Sequence, residues 1–410
     1  MRQTRSGHNL TRARPTNRDA VPDPQGLSPA DDARWRIPGP TAESSSATGP
    51  SPFDVPYWLH LLGGLVHRHP RFWTGLSSLE TRVIGSELDR VSVAMSIYIC
   101  GLARSGTTLL HEIVASHPSV ATHRIKDYPF VSTPYWWRRA SANLRPAEAR
   151  ERAHGDRILI TSESADALEE VIWMAFFPHC HDPSVTNVLG AETRHPAFES
   201  FYRNHLRKLL LAERATRYAA KANYHVARLA YLVRLFPDAR FVIPVRAPVG
   251  HVASLMRQHE RFSAGQSAHP RALAFMQRSG HFEFGLDRRP MNLGEASLVE
   301  QIVDDWVRGH EVRGLARYWD MVYAYLARLL AEDEQVRAAT LVVRFEALCE
   351  APAETLAALL EHVALPEADK IIERYAPLIR HPDYYASPLT ADDEAIIHDA
   401  TAATARGWGY

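Results

Sequence analysis

Short apolar runs alternate along the chain with longer stretches whose apolar residues recur every three or four positions. Runs of the first kind span residues 97–100, 119–124, 219–224, 240–246 and 340–345, and each is bounded by glycine, proline or charge. Such brief segments read as strands buried on both faces. Helical periodicity covers 57–88 (broken near His69-Pro70), the stretch after Gly106, and a segment starting near Ser164 that carries Trp173, Phe176 and Phe177. It returns over 201–218, 226–236, from 249 onward, and over 303–330, 352–363, 367–375 and 392–405. Strand alternating with helix predicts an α/β fold: a mostly parallel central sheet flanked by helices, with added helical segments. Leu61, Leu62, Leu65, Phe72, Leu79, Ile84 and Leu88 are expected to pack the 57–88 helices over the core or beside a ligand. Residues 260–300 are rich in Gly, Ser and Arg without a strong period, and are expected to form a long loop or lid. Residues 1–52 are dominated by Pro, Ser, Gly, Thr and charge, which predicts a disordered arm. The remainder, 53–410, is expected to be a single domain, with a helical part at 53–92, the α/β core at 93–375 and a C-terminal segment at 376–410.

Composition narrows the function classes. The 410 residues are 46% hydrophobic and 23% charged, enough for a sizeable core. Lys+Arg and Asp+Glu both number 47, so no global positive field points to nucleic acid, and any cationic site must be local. The three cysteines, Cys100, Cys180 and Cys349, form neither a disulfide framework nor a metal-ligand spacing. A reducing compartment, the cytoplasm, is expected. His179-Cys180-His181 lacks a second ligand pair at zinc spacing, so no metal is expected. No run of 18 apolar residues suggests a membrane span, and the arginine-rich first 20 residues lack the apolar core of a secretory signal.

The chemistry concentrates at Ile99-Cys100-Gly101-Leu102-Ala103-Arg104-Ser105-Gly106-Thr107-Thr108-Leu109. A strand, a turn flanked by glycines and a helix start follow one another there. Unpaired N–H groups at a helix N-terminus, wrapped by such a loop, make an anion nest. Gly101 and Gly106 have P-loop spacing, but Thr107 stands where a nucleotide hydrolase needs lysine. The loop instead carries Arg104, which can grip an oxyanion with two N–H groups. Two aromatic clusters, 128–137 and 173–177, are expected mainly in the core, with some rings facing a ligand.

Three stretches, taken in order, resemble the sulfotransferases that use 3′-phosphoadenosine-5′-phosphosulfate (PAPS). The first is the 101–110 loop, similar to the family's 5′-phosphosulfate loop. The second, Phe236-Pro-Asp-Ala-Arg-Phe-Val-Ile-Pro-Val-Arg246 with Ser254 eight residues on, resembles its 3′-phosphate motif. The third, Val343-Arg344-Phe345-Glu346-Ala347-Leu348 with Pro352, resembles a structural strand-to-helix segment. The resemblance covers about residues 93–375 and departs at Ala247, where an Asp is usual, and at Phe345, where a phenol is usual. It implies a P-loop-like sulfotransferase fold and sulfonate transfer from PAPS, without metal, to a small-molecule or lipid-like hydroxyl. It implies that Arg104, Ser105, Gly106, Thr107, Thr108, Arg246 and Ser254 bind the donor, with Arg104 also acting in catalysis. Lys221, in a lysine-x-x-x-histidine setting with His225, is expected to stabilise the leaving group. For the base the order of expectation is Asp127, Glu170, then Glu169. A P-loop nucleotide kinase or hydrolase and a non-catalytic relative that binds the desulfonated donor (PAP) stay open as alternatives, and the sequence leaves the oligomeric state undetermined.

Overall fold

The computed structural model describes residues 51–143, 148–156, 158–381 and 389–410. The arm expected over residues 1–52 therefore lies almost wholly outside the described residues. Five parallel strands form the central sheet: β1 (Ile97–Ile99), β2 (Val120–Ala121), β5 (Arg217–Lys221), β6 (Arg240–Val245) and β7 (Thr340–Arg344). Their spatial order is β2-β5-β1-β6-β7. A small antiparallel hairpin, β3 (Arg150–Glu151) and β4 (Leu159–Ile160), stands apart from the sheet.

The period of two in the strands sorts their side chains into two layers. Tyr98, Tyr218, Ala220, Phe241 and Ile243 face one layer, where they meet Trp173, Tyr202, Leu206, Trp319 and Tyr323 from flanking helices. Ile97, Ile99, Ala219 and Val242 face the other, against Leu110, Ile113, Leu356 and Leu360. Burial on both faces is why these strands read as unbroken apolar runs. Pro244 is tolerated inside β6 because pairing with β1 ends at Val242, so the missing N–H falls beyond that ladder. A third apolar cluster joins Phe53, Val252, Leu255, Phe262 and Phe284 beside the sheet's carboxyl edge.

Several expectations give way. The stretch 260–300 is not a long loop: one helix runs Pro248–Ala268, a second Pro270–Ser279, and a third starts at Ala296. Proline at the N-terminus of the first two sets their starts, because its missing N–H is one the first turn leaves unpaired anyway. The helix carrying Trp173 begins at Glu170 rather than near Ser164. Trp173 is fully buried among Phe198, Tyr202 and Phe177, with the Arg228 guanidinium 4.4 Å above its ring, so it is core and not a ligand wall. The N-terminal helices Tyr57–Arg68 and Pro70–Val83 form as expected, but their apolar residues point the wrong way. Ile84 and Leu88 are buried, whereas Leu61, Leu65, Phe72 and Leu79 face solvent.

Candidate active site

Every parallel strand ends at the same edge of the sheet, and a crevice outside that edge is where open α/β sheets take ligands. β1 delivers the glycine loop there, β5 ends on Lys221, and β6 ends just before Arg246. Three cations thus stand at the carboxyl ends of three adjacent strands.

The loop is tight for identifiable reasons. A Cβ at Gly101 (φ 150°) would lie 3.0 Å from the Pro244 carbonyl oxygen of β6. Gly106 (φ 107°) caps the helix Thr107–Ala115 in a backbone region that side chains disfavour, with Phe345 against it. Arg104 itself holds a positive φ of 72°. Such strain in a non-glycine residue persists only where its surroundings fix it, and it clusters at functional sites. His251 fixes this one: its Nε2 donates to the Ala103 carbonyl at 2.8 Å, and burial holds its pKa down near 3, so the ring is neutral.

Residues far apart in sequence meet around that arginine. Its Nε donates to Ser254 Oγ at 3.3 Å, and Arg246 Nη1 donates to the Arg104 carbonyl at 3.1 Å. The Arg246 guanidinium lies 4.5 Å over the Phe345 ring. Burial, and next the charge of Arg104, push the Arg246 pKa down to about 10. Two guanidinia are therefore forced together with little carboxylate to answer them. Asp156, from the β3–β4 hairpin, pairs with Arg104 at 3.2 Å but is shared with Arg152. Glu346 accepts the Ala247 N–H at 3.0 Å and its charge partly offsets the depression of the Arg246 pKa, so a carboxylate of the third motif sits beside the position where the second motif lacks one. Thr107 and Thr108 line the cleft. Ser105 does not offer its hydroxyl: the side chain is buried and donates to the Leu102 carbonyl at 2.7 Å, leaving only its backbone for a ligand.

Lys221 lines the same cleft, its pKa lowered chiefly by desolvation and supported by Glu283 and Asp166. Beside it stands a group that sequence reasoning missed. Glu283 accepts from Asn223 Nδ2 at 2.7 Å, and His281 Nδ1 lies 3.6 Å from its other oxygen. The partners His281 and Lys221 outweigh desolvation and hold the carboxyl down at about 2, while Glu283 raises the His281 pKa against the opposing pull of burial. Both residues lie in the stretch read as a featureless loop, where two isolated polar residues carry no period.

The three carboxylates expected as bases are elsewhere. Asp127 is fully buried: Arg138 clasps it through Nε at 3.1 Å and Nη2 at 2.6 Å, with His123 at 3.4 Å, in a side-chain network under the sheet's β2 edge. Glu170 is held by Arg228 through both oxygens, at 2.9 and 2.5 Å, and by His181 at 2.8 Å. Cys180 joins that cluster, so a carboxylate, a thiol and an imidazole lie together, with Arg228 Nη2 donating to the same Glu170 Oε1 that the thiol and the imidazole face. Glu169 accepts from Trp173 at 2.9 Å and Tyr218 at 2.9 Å and also from Tyr202, its pKa down at about 2. None of the three lines the crevice; each is enclosed by donors that neutralise it in the interior.

The fold is α/β, and cations from separate segments converge at the carboxyl edge of its parallel sheet. Residues 96–282 match the model of the sulfotransferase family. Among solved structures, a sulfotransferase from Mycobacterium tuberculosis H37Rv is 18% identical over 85% of this chain and 84% of that one, with a TM-score of 0.44. One from Mycobacterium avium is 12% identical over 79% of this chain and 80% of that one, TM-score 0.45. The sulfotransferase domain of a Synechococcus olefin synthase is 13% identical over 78% of this chain and 97% of that domain, TM-score 0.36. No curated protein matches the chain.

Proposed function

We propose that the protein transfers a sulfonate from PAPS to the hydroxyl of a partly apolar small molecule. The observation that carries this is the convergence of Arg104, Ser254 and Arg246, from separate segments, at the ends of β1 and β6. A donor with two anionic ends needs two anchors. The backbone N–H groups around Gly106, Thr107 and Thr108, with Arg104, form the one for the phosphosulfate. Arg246 and Ser254 form the one for the 3′-phosphate. PAPS supplies an activated S–O bond, which breaks as the acceptor oxygen bonds to sulfur.

The residues of this chain then do three things. Lys221 and Arg104 stabilise the charge that gathers on the departing phosphate oxygen. Glu283 holds His281 through Nδ1, so that Nε2 is the atom that takes the acceptor's proton. Apolar side chains, among them Ile158, Phe262, Met276 and Phe284, line the acceptor side of the cleft.

Calorimetric titration with PAP, with Mg-ATP as competitor, tests the donor. Micromolar PAP binding that Mg-ATP fails to displace supports the reading, and labelled PAPS with a pool of hydroxyl acceptors then reads turnover. Tighter binding of Mg-ATP than of PAP would refute it in favour of a nucleotide kinase or hydrolase. PAP binding without transfer to any acceptor would reduce the protein to a non-catalytic relative.

A further inference from the structure

We infer that the two N-terminal helices dock the protein on an anionic membrane surface. The first buries only Gly63 and Val66, and the amphipathicity of the second is inverted. The inward face of Pro70–Val83 is polar: Glu80 is buried and paired with Lys208 at 3.0 Å, and Ser77 accepts from the same ammonium through its carbonyl at 2.6 Å. The outward residues are apolar. Tyr57, Trp58, Leu61, Leu65, Phe72, Leu79 and Val83 are each between 45% and 64% exposed. Positions 57, 61 and 65 follow one another by single helical turns; on the second helix 72 and 79 are two turns apart and 79 and 83 one, so each helix carries its exposed apolar residues along one face. A monomeric soluble surface scatters such residues singly, and a stripe of this length marks a docking face.

Charge selects the occupant. Between Tyr57 and Val83 the sequence contains one acidic residue, the buried Glu80, while Arg68, Arg71 and Arg82 are exposed beside the stripes. Aromatic and leucine side chains edged by arginine fit a helix lying in the headgroup layer of an anionic bilayer. Tyr57 and Trp58 add rings suited to that boundary. No helix of the described residues is long and apolar enough to cross a membrane, so the contact is peripheral. The inference stands independently of the donor reading.

Flotation of the full chain with phosphatidylcholine vesicles, with and without phosphatidylglycerol, tests it. The protein is expected to float with the anionic vesicles and to be released as salt rises. Leu61→Glu with Phe72→Glu should lower the bound fraction at least about ten-fold. Arg68→Gln and Arg71→Gln should each weaken binding by about five-fold. Unchanged circular-dichroism melting, and unchanged PAP binding where the wild type binds PAP, would show that these exposed substitutions leave the fold intact. Absence of flotation, or flotation indifferent to Leu61→Glu with Phe72→Glu, overturns the inference. So does a dimer in sedimentation that this double variant converts to monomer, since the face would then belong to a second copy.

Discussion

Replacing Arg246 by alanine should separate binding from stability. In the folded protein the guanidinium is 8% exposed and its pKa is pushed down to about 10, first through burial and then through Arg104. The unfolded group keeps its charge to higher pH, so at neutral pH holding the folded one charged costs on the order of 3 kcal/mol. Alanine removes that cost. It also removes the hydrogen bond to the Arg104 carbonyl and the stacking on Phe345, worth about 1 kcal/mol each. The opposing changes nearly cancel, so the melting temperature without ligand should stay within a few degrees of wild type. Ligand binding has no such compensation. A guanidinium meeting a phosphate gives at least two charge-assisted hydrogen bonds at about 1.5–3 kcal/mol each, so PAP affinity should fall at least about 100-fold. Calorimetry reads the affinity and differential scanning fluorimetry the stability, each with and without PAP. Undiminished PAP binding by Arg246→Ala would refute the 3′-phosphate role. A large fall in the ligand-free melting temperature would refute the claim that this cation is held at the fold's expense.

Lys221→Met should reduce turnover roughly 100-fold or more while PAP affinity changes less than about ten-fold, because the ammonium is assigned to charge that develops during transfer. Single-turnover assays beside calorimetry check the split. For kcat/KM against pH, the active imidazole must be unprotonated and Glu283 raises its pKa above the ordinary 6.5. Activity should therefore rise through a midpoint above 6.5, and Glu283→Gln should move that midpoint down. Asp127→Asn should destabilise the fold by about 1–3 kcal/mol in urea, because Arg138 loses one of its two carboxylates and keeps Glu213, yet leave turnover per folded molecule nearly unchanged. Stability should also fail on the acid side. Asp127, Glu170 and Glu169 are all held below the usual carboxylate range, so their contribution is full above about pH 4.5 and is lost as pH drops towards their folded values.

What could be read from sequence was what periodicity or backbone geometry imposes. The strands of the sheet, Gly101 and Gly106, and the cation of the loop follow from burial on two faces and from a turn that excludes side chains. The helix starting at 248 is legible only over its first turns, and its continuation past 260 and the helix over 270–279 escaped, because their exposed faces mix Arg, Gln, Ser and Gly and because a proline at position 270 restarts the helix. The hairpin at 150–160 escaped because two-residue strands have too short a period to detect. His281 and Glu283 reach the cleft only through tertiary packing, and no local pattern announces them. The outward stripe of the N-terminal helices is the converse case: the period of 57–83 is helical, but period alone does not say which face meets the core.

The misplacement of Asp127, Glu169 and Glu170 has one physical cause that also locates the site. A carboxylate in the interior must be answered by donors or cations, and all three are: Asp127 by Arg138, Glu170 by Arg228, Glu169 by two phenols and an indole. Satisfied in this way, they hold elements together and do not line the cleft. The cations at the strand ends are in the opposite condition. Arg104 shares Asp156 with Arg152, Arg246 faces Arg104 across a hydrogen bond to backbone, and desolvation outweighs Glu283 and Asp166 at Lys221. A fold that answers its buried acids and leaves cations underanswered at one edge places its electrostatic deficit where an anionic ligand relieves it. Reversing that deficit by Arg104→Glu should therefore abolish PAP binding, and pairing this change with Glu283→Gln should not restore it.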